Sequence, residues 1–365
     1  MWRALALVAA FSMSSCGCRP KTPAAADAGP HVRKVDVHVH VEPEAVPRLL
    51  ALMDAQGIDV AVNLSGGWPG QGLEASLAAA ARTQGRVVVF ATPPLLQLAR
   101  GAVSMDDVLA QLEEAQRLGV KGLKFYKALG LSARTADGAL LAVDDPRLDP
   151  LFEKAGALGL PISIHVGDPK AFWQPADESN ERFDELSAHP GWRNAGKPVP
   201  SWDALFAAYG RRVARHPRTT FIGVHFGNDA EDPPAVAAML EALPNLYVDT
   251  GARVPELGRH PPEALRALFV RYQDRILFGT DLGVGLDEDA LMLGSTGATP
   301  PTPADVTRFF SATWRFFETS DRDFPHPTPI QGRWTISGLG LPPEVLAKVY
   351  AGNADRLLGL KPAAR

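Results

Sequence analysis

Two histidines spaced i and i+2, His38 and His40, end an apolar run near the start of this 365-residue chain. Side chains alternate across a β-strand, so both imidazoles lie on one face of a strand at this position. Two imidazoles on one face form half of a metal site. Taken alone, an H-x-H pair is more often two polar residues at a strand end. However, His165, His225 and Asp281 each end a later apolar run as well, and this repetition favours a metal site.

Short apolar runs alternate with amphipathic stretches of helical period along the chain. Several of these stretches end in a glycine, such as Gly57 and Gly119, which tolerates the left-handed conformation that terminates a helix. Eight strands alternating with helices predict an α/β fold with a parallel sheet, and this number favours a closed (β/α)8 TIM barrel over an open doubly wound sheet. The eight runs are Lys34–His40, Ile58–Leu64, Arg86–Thr92, Val120–Tyr126, Pro161–Val166, Thr219–His225, Leu246–Thr250 and Ile276–Asp281.

Two connections are longer than an ordinary turn. Residues 167–200 follow the fifth run, and residues 282–302 follow the eighth. Long loops after barrel strands lie at the catalytic end, where the C-terminal ends of all strands meet at one mouth. The five ligand candidates are therefore expected around a single point at this mouth. The stretch Pro303–Phe317 is predicted as the eighth helix, and Pro342–Leu358 as a C-terminal helix outside the barrel.

Nitrogen and oxygen donors of this kind suit zinc, with manganese, iron or cobalt as substitutes. A divalent ion with an open position lowers the pKa of a bound water towards neutrality and makes hydroxide available near pH 7. In such a site Asp281 serves as a ligand, as a proton acceptor for that water, or as both in turn.

The order of these motifs resembles the amidohydrolase superfamily, and more narrowly its amidohydrolase-2 branch, which includes aminocarboxymuconate semialdehyde decarboxylase and related metal-dependent hydrolases. The resemblance covers about residues 34–360, nearly the whole chain after its N-terminal segment. It is carried by Asp36-Val37-His38-Val39-His40, Ile164-His165, Val224-His225, Gly279-Thr280-Asp281 and Gly352-Asn353-Ala354-Asp355-Arg356-Leu357.

The resemblance also implies roles for single residues. It makes His38, His40, His165 and Asp281 the ligands of one divalent ion. It gives the histidine matching His225 an acid, base or water-orienting role, so His225 and Asp281 are the expected catalytic residues.

Lys124 lies within the fourth run and is open to two interpretations. Some superfamily members carbamylate a fourth-strand lysine to bridge two metals, which would make Lys124 and His225 part of a second metal site. The alternative is a structural lysine that pairs with a carboxylate in the barrel mouth, and this alternative is preferred.

Three other residues are weaker candidates for binding substrate. Trp173 and Arg182 lie in the long loop after the fifth run, and Arg253 follows the seventh. A guanidinium can bind a substrate carboxylate in bidentate fashion. A solvated loop held by its own salt bridges is an equal alternative for Arg182.

The leading hypothesis is a metal-dependent hydrolase that uses metal-activated water on an ester, lactone or amide bond of a small molecule. Non-oxidative decarboxylation of an unsaturated or aromatic carboxylic acid is the alternative reaction, because it uses much the same ligands. A third hypothesis is a surface lipoprotein that holds metal and has no catalytic activity. The formal charge of −4 and pI near 6.2 give no basic surface for nucleic acid. A homodimer is left open.

The N-terminus predicts export. Residues 1–15 carry a positive start, a short apolar stretch and small residues, as signal peptides do. Met13-Ser14-Ser15-Cys16 resembles a bacterial lipoprotein cleavage box, which implies acylation of Cys16 and anchoring to a membrane that faces the periplasm or the cell exterior. A plain secretory peptide is the alternative. Residues 16–32 are predicted as a flexible tether and residues 33–362 as the barrel.

Overall fold

One curled, mostly parallel sheet forms the centre of the protein, in the order β10-β9-β1-β2-β3-β4-β5-β6-β7-β8. The structure is a computed structural model, and it describes residues 32–287, 289–297 and 299–360. The strands are Val35–Val41 (β1), Val60–Asn63 (β2), Val87–Ala91 (β3), Gly122–Phe125 (β4), Ile162–Ile164 (β5), Phe221–Gly223 (β6), Leu246–Asp249 (β7), Ile276–Leu277 (β8), Leu282–Val284 (β9) and Leu291–Leu293 (β10).

The last parallel segment closes the sheet on its first strand. Each of β1 to β7 pairs in parallel with the next strand, and β9 pairs in parallel with β1. Between β8 and β9, the Phe278 carbonyl accepts from the Val37 amide at 3.0 Å, and the Asp281 amide donates to the His38 carbonyl at 2.9 Å. The predicted (β/α)8 TIM barrel is confirmed, with its eighth strand split into β8 and β9.

The connection after the eighth strand contains more regular structure than the sequence predicts. Residues 282–302 start with β9, which forms an antiparallel hairpin with β10. Leu282, Val284, Leu291 and Leu293 are buried, which explains why this segment pairs instead of remaining a solvated loop. The hairpin extends one wall of the barrel mouth.

Eight long helices follow the strands in the described part of the chain, as the alternation of apolar runs and amphipathic stretches predicts. Their ends are set by local sequence: before Met105–Leu118, Ser104 forms a capping box with Asp107, and after it Gly119 adopts φ 104°. The eight helices are Val46–Gln56, Leu73–Ala81, Met105–Leu118, Asp149–Ala157, Trp202–Arg215, Pro233–Ala242, Pro262–Arg271 and Pro303–Glu318. Shorter helices are Leu95–Ala99, Ala128–Leu131, Phe183–Ala188, Val224–Gly227 and Val254–Gly258.

The predicted C-terminal helix is present but interrupted. It consists of Pro343–Ala347, a π-helical turn at Lys348–Gly352 and a last segment, Asn353–Leu358. The Phe278 amide donates to the Val349 carbonyl at 2.9 Å, so this segment packs against the eighth strand.

Among the described residues, no helix has the length and apolar composition needed to cross a bilayer. The predicted signal peptide, the acylation site Cys16 and all but the last residue of the predicted tether lie outside the described residues. These remain predictions.

Candidate metal-dependent active site

The three residues from strands 1 and 8 meet at the mouth of the barrel. Asp281 Oδ1 lies 3.3 Å from His38 Nε2 and 3.4 Å from His40 Nε2. His38 and His40 share the interior face of β1, as the i, i+2 spacing predicts. The structure therefore brings these three side chains together at the mouth.

His225 and His165 join this group from strands 6 and 5. The His225 ring centroid lies 5.0 Å from that of His38 and 4.5 Å from that of His165. The ligand atoms of His38, His225 and Asp281 all lie within 4.8 Å of one another. All five predicted residues line one cavity of about 200 Å³. The ligand atom of His225 is therefore close enough to those of His38 and Asp281 to share one metal ion. The family resemblance gave His225 a different role, as an acid, a base or a group that orients water.

Three of the four imidazoles have one ring nitrogen fixed by an acceptor. His38 Nδ1 lies 3.0 Å from Asp249 Oδ2, and His225 Nδ1 lies 2.8 Å from the Gly251 carbonyl. His165 Nε2 lies 3.0 Å from the Gly167 carbonyl. Carboxylate and carbonyl oxygens only accept, so each of these nitrogens carries the proton and the other nitrogen keeps its lone pair for a ligand.

A chain of hydroxyls fixes the fourth imidazole. Tyr126 donates its phenolic hydrogen to the Leu64 carbonyl at 2.9 Å, so in its contact with Ser65 Oγ at 3.0 Å it accepts. Ser65 has then used its own hydrogen and must accept from His40 Nδ1 at 2.7 Å. His40 consequently presents Nε2, without a hydrogen, to Asp281.

Asp249, at the end of β7, supports the candidate ligands and was not predicted from the sequence. Its Oδ2 accepts from His38, and its Oδ1 accepts from the backbone amides of His225 and Gly251 at 3.0 and 2.9 Å. One carboxylate thus positions two of the candidate ligands. A Cβ on Gly251 would lie 2.7 Å from His38 Nδ1, so only glycine leaves room for this contact. The available signal was a carboxylate at the end of a predicted strand, the same signal that identified Asp281.

The backbone is strained at two of the site residues. His225 has φ 55° and Asp281 has φ 61°, in the left-handed region that residues other than glycine seldom adopt. The turn before Asp281 is held by Asp36, whose carboxylate accepts from the Thr280 amide at 3.0 Å and from the Thr280 hydroxyl at 2.5 Å. Asp36, the first residue of the D-x-H-x-H motif, therefore fixes the segment that carries Asp281.

The charge states of the group suit a metal. Burial holds the pKa of His165 and His225 well below the usual histidine value and lowers the pKa of His40, so these imidazoles are neutral. Burial alone would raise the pKa of Asp281, but its polar neighbours hold this pKa well below the usual range, so the carboxylate is ionised. Neutral imidazoles and an ionised carboxylate are the donor set that zinc and similar ions prefer.

Lys124 lies within the site. Its Nζ is 3.5 Å from His38 Nε2, and burial lowers its pKa to about 8. Among the described residues no carboxylate lies within ion-pair distance of this lysine, although Asp249 and Asp281 are near enough to oppose that lowering. The carboxylate pairing expected of a structural lysine is thus not formed directly.

Of the three weaker candidates for binding substrate, two line the cavity and one does not. Arg182 and Arg253 line the cavity, whereas Trp173 is not among its lining residues and donates its indole N–H to the Pro200 carbonyl. Phe172 and Trp192 of the long loop after strand 5 do line the cavity. The long loop after strand 5 therefore lies at the mouth of the barrel, the end at which long loops were expected.

Comparison with known proteins identifies the class. The amidohydrolase family model matches residues 35–360, so the chain belongs to the amidohydrolase family. No curated protein matches the sequence.

Solved structures with the same fold include enzymes with different reactions. A 2,6-dihydroxybenzoate decarboxylase in complex with 2,6-dihydroxybenzoate superposes with TM-score 0.52 at 17% identity, over 90% of this chain and 99% of that chain. A dihydroorotase from Campylobacter jejuni gives TM-score 0.50 at 15% identity, over 91% and 85%. An uncharacterized TIM-barrel protein from Bordetella bronchiseptica gives 0.51 at 15% identity, over 90% and 98%. At these identities the likeness shows the fold and not the reaction.

Proposed function

We propose that this protein is a metal-dependent hydrolase that cleaves an ester, lactone or amide bond of a small molecule with one divalent ion, preferably zinc. The observation that carries the proposal is the meeting of an ionised carboxylate, Asp281, with four histidines that each have one ring nitrogen fixed by a hydrogen bond. This arrangement leaves a lone pair on each ring that can bind a shared metal ion.

The geometry favours His38, His225 and Asp281 as the central ligands, with His40 beside them. His165, a ligand by family resemblance, adjoins His225. When bound, a divalent ion lowers the pKa of a water molecule and polarises the carbonyl oxygen of the bond to be cleaved.

The protein's own groups supply the remaining steps. The Asp281 side chain is ionised and 13% exposed, so its carboxylate can accept a proton from the attacking water. The buried Lys124 ammonium faces the same cavity and stabilises negative charge that develops on a substrate oxygen. Phe172 and Trp192 shield the reacting groups from bulk water.

The test combines metal analysis with activity on ester, lactone and amide substrates. We expect the purified protein to carry a divalent ion and to hydrolyse at least one substrate class. Asp281→Asn should lose more than about 100-fold in kcat/KM, more than a residue that only supports a ligand. The matched control is Asp274→Asn, because Asp274 is exposed and pairs with Lys348. Protein that binds no ion, or binds one without turnover of any ester, lactone, amide or carboxylic acid, would refute the proposal.

A second measurement separates the two roles of His225. If His225 is a ligand, His225→Gln loses metal and activity together. If it acts as an acid or base, the same variant keeps its metal and loses the acidic or basic limb of its pH–rate profile.

Decarboxylation is the second candidate, because an arginine side chain, Arg253, faces the cavity and suits an acid substrate. The two reactions differ in product. Release of carbon dioxide from an unsaturated or aromatic acid, without hydrolysis of any ester, would replace the hydrolase proposal by this one.

We also propose that the chain is exported and anchored through an acylated Cys16. The support is the sequence of residues 13–16 alone. Cys16→Ser should abolish incorporation of labelled palmitate and move the protein from the membrane to the soluble fraction. Incorporation that persists in this variant would contradict acylation at Cys16.

A further inference from the structure

The active-site cavity contains one guanidinium without a carboxylate partner. Arg253 is only 9% exposed, and it lines the cavity together with the candidate metal ligands. Its Nη1 donates to the carbonyl of the preceding residue, Ala252, at 3.0 Å. Within the described residues no other hydrogen bond or ion pair reaches this side chain.

A second arginine in the same cavity, unlike Arg253, has carboxylate partners. Arg182 is fully buried and forms ion pairs with Glu185, at 2.7 Å, and with Glu256. The other oxygen of Glu185 accepts from the Ser295 hydroxyl. Both oxygens of Glu185 are therefore occupied, and Glu256 is engaged by Arg182, so neither carboxylate is bonded to Arg253.

Burying a guanidinium without partners is unfavourable, because its hydrogen-bond donors lose water and gain little in return. The cost is recovered when a ligand supplies the acceptors. A planar guanidinium is suited to a carboxylate, which can accept two parallel hydrogen bonds. The unpaired donors of Arg253 thus indicate the charge and the geometry of the missing acceptor.

The other cationic side chains of the cavity already contact protein groups. Lys127 pairs with Asp168 at 2.6 Å, Arg182 pairs with two glutamates, and Lys124 lies 3.5 Å from His38 at the metal end. One free guanidinium matches a monoanion. A phosphate dianion would ordinarily call for more than one such group.

We propose that the substrate carries a carboxylate that Arg253 binds, while the bond to be cleaved lies at the His38, His225 and Asp281 end of the cavity. This inference rests on the proposed hydrolase function for the role of that end. It adds the substrate class: a small carboxylic acid that also contains an ester, lactone or amide bond. The cavity of about 200 Å³ limits the substrate to a small molecule.

Binding can be tested without any turnover. Benzoate and its neutral isostere benzamide are titrated calorimetrically into the zinc-loaded protein. We expect benzoate to bind at least 10-fold more tightly than benzamide, and Arg253→Met to weaken benzoate binding by about 10- to 100-fold, the value of a charged hydrogen-bonded pair. Arg271→Met is the matched control, since Arg271 is exposed and pairs with Glu241 on the surface.

Two results would overturn the proposal. One is equal binding of benzoate to wild type and Arg253→Met, which would show that the anion binds the metal. The other is no preference for benzoate over benzamide in wild type. If Arg253→Met does not fold, Arg253→Lys replaces it: this variant keeps the charge but loses the planar fork, so benzoate should bind several-fold more weakly.

Kinetics then connect the anion to the reaction. Monomethyl phthalate carries a carboxylate beside its ester, and dimethyl phthalate does not. We expect wild type to prefer the half-ester, and Arg253→Met to lose that preference mainly through a higher KM for the half-ester. Failure of wild type to hydrolyse any ester, lactone or amide would refute the hydrolase proposal alone, because the benzoate measurement would still decide whether Arg253 binds a carboxylate.

Discussion

The two ends of the eighth strand use polar residues in opposite ways. At its start, away from the mouth, Asn353 donates to the carbonyls of Gln273 and Ile276 at 2.7 and 2.8 Å, and its own oxygen accepts from Arg356. At its end, Asp281 meets imidazoles that each keep one ring nitrogen available. The first group is complete within the protein, whereas the second keeps ring nitrogens available for the proposed metal ion.

This contrast separates stability from function within one set of motifs. The family resemblance rests in part on one motif from each end of the strand: Gly279-Thr280-Asp281 at the mouth and Gly352-Asn353-Ala354-Asp355-Arg356-Leu357 at the start. Buried polar groups with all partners present stabilise a fold, whereas groups held in place with a free donor or acceptor are suited to bind a ligand. Substitutions at the mouth should therefore change activity with little change in stability, and substitutions at the other end should do the reverse.

The largest effect is expected for His38→Gln at the mouth. His38 contacts Asp249, Asp281 and Lys124 and belongs to the tightest group of ligand atoms. We expect loss of bound metal and a fall of more than about 100-fold in kcat/KM, beyond the effect of removing a supporting group. Metal analysis measures the effect on the site, and urea unfolding of the metal-free protein measures the effect on stability. Retained metal, or a large loss of stability without metal, would contradict the comparison.

Asn353→Ala should do the opposite. It leaves the buried Ile276 carbonyl and the partly buried Gln273 carbonyl without their donor, which costs about 1–3 kcal/mol in the free energy of unfolding. Activity of the folded protein, measured well below the unfolding midpoint, should change less than twofold. Asp355→Asn is a milder control at the same end, because the Arg33–Asp355 pair is partly exposed and contributes about 1 kcal/mol or less. Loss of activity without loss of stability would refute a structural role for Asn353.

Much of the fold could be predicted because its determinants are local. Eight apolar runs and eight amphipathic stretches alternate with nearly the bounds that the structure has, and periodicity alone indicates such elements. The split of the eighth strand could not be predicted, since it depends on Asp36 holding Thr280 from a distant part of the chain. The π-helical turn at Lys348–Gly352 likewise gave no local signal.

The candidate site could be predicted in part for the same reason. His38, His40, His165, His225 and Asp281 lie at strand ends, and barrel topology brings strand ends together. The pairing of Arg182 with Glu185 and Glu256, and hence the isolation of Arg253, depends on loop packing that no spacing rule describes. His216 and His326 adjoin prolines, which are typical of exposed turns, yet both histidines are buried.

Asp249→Asn tests whether the site requires the ring proton of His38 on Nδ1. The asparagine oxygen can replace Oδ1 at the two backbone amides of His225 and Gly251, but its NH2 group then faces His38 Nδ1. That contact would move the ring proton to Nε2 and remove the lone pair that a metal needs. We expect about a 10- to 100-fold loss in metal affinity or kcat/KM. Asp274→Asn, at the other end of strand 8, should leave both unchanged, and an unchanged Asp249→Asn enzyme would contradict the role given to this carboxylate.

A smaller effect than that of Asp249→Asn is expected for Ser65→Ala. Ser65 fixes the proton of His40 through its hydrogen bond to Tyr126, yet it is exposed, so water can replace its hydroxyl at modest cost. We expect less than about a 10-fold fall in kcat/KM, at the lower limit for a group that orients a metal ligand. Ser65→Thr keeps the hydroxyl and should restore activity.

Tyr126→Phe removes the hydrogen bond between Ser65 and Tyr126 and leaves the one between Ser65 and His40. Without the tyrosine oxygen, Ser65 can donate to water and still accept from His40, so the fall should be smaller than for Ser65→Ala. Because the Asp249 contact is buried and charged while the Ser65 contact is exposed and neutral, the losses should follow the order Asp249→Asn, Ser65→Ala, Tyr126→Phe. A Ser65→Ala loss equal to that of Asp249→Asn would show that burial does not set the strength of these supports, and would remove the physical basis for contrasting the two ends of the strand.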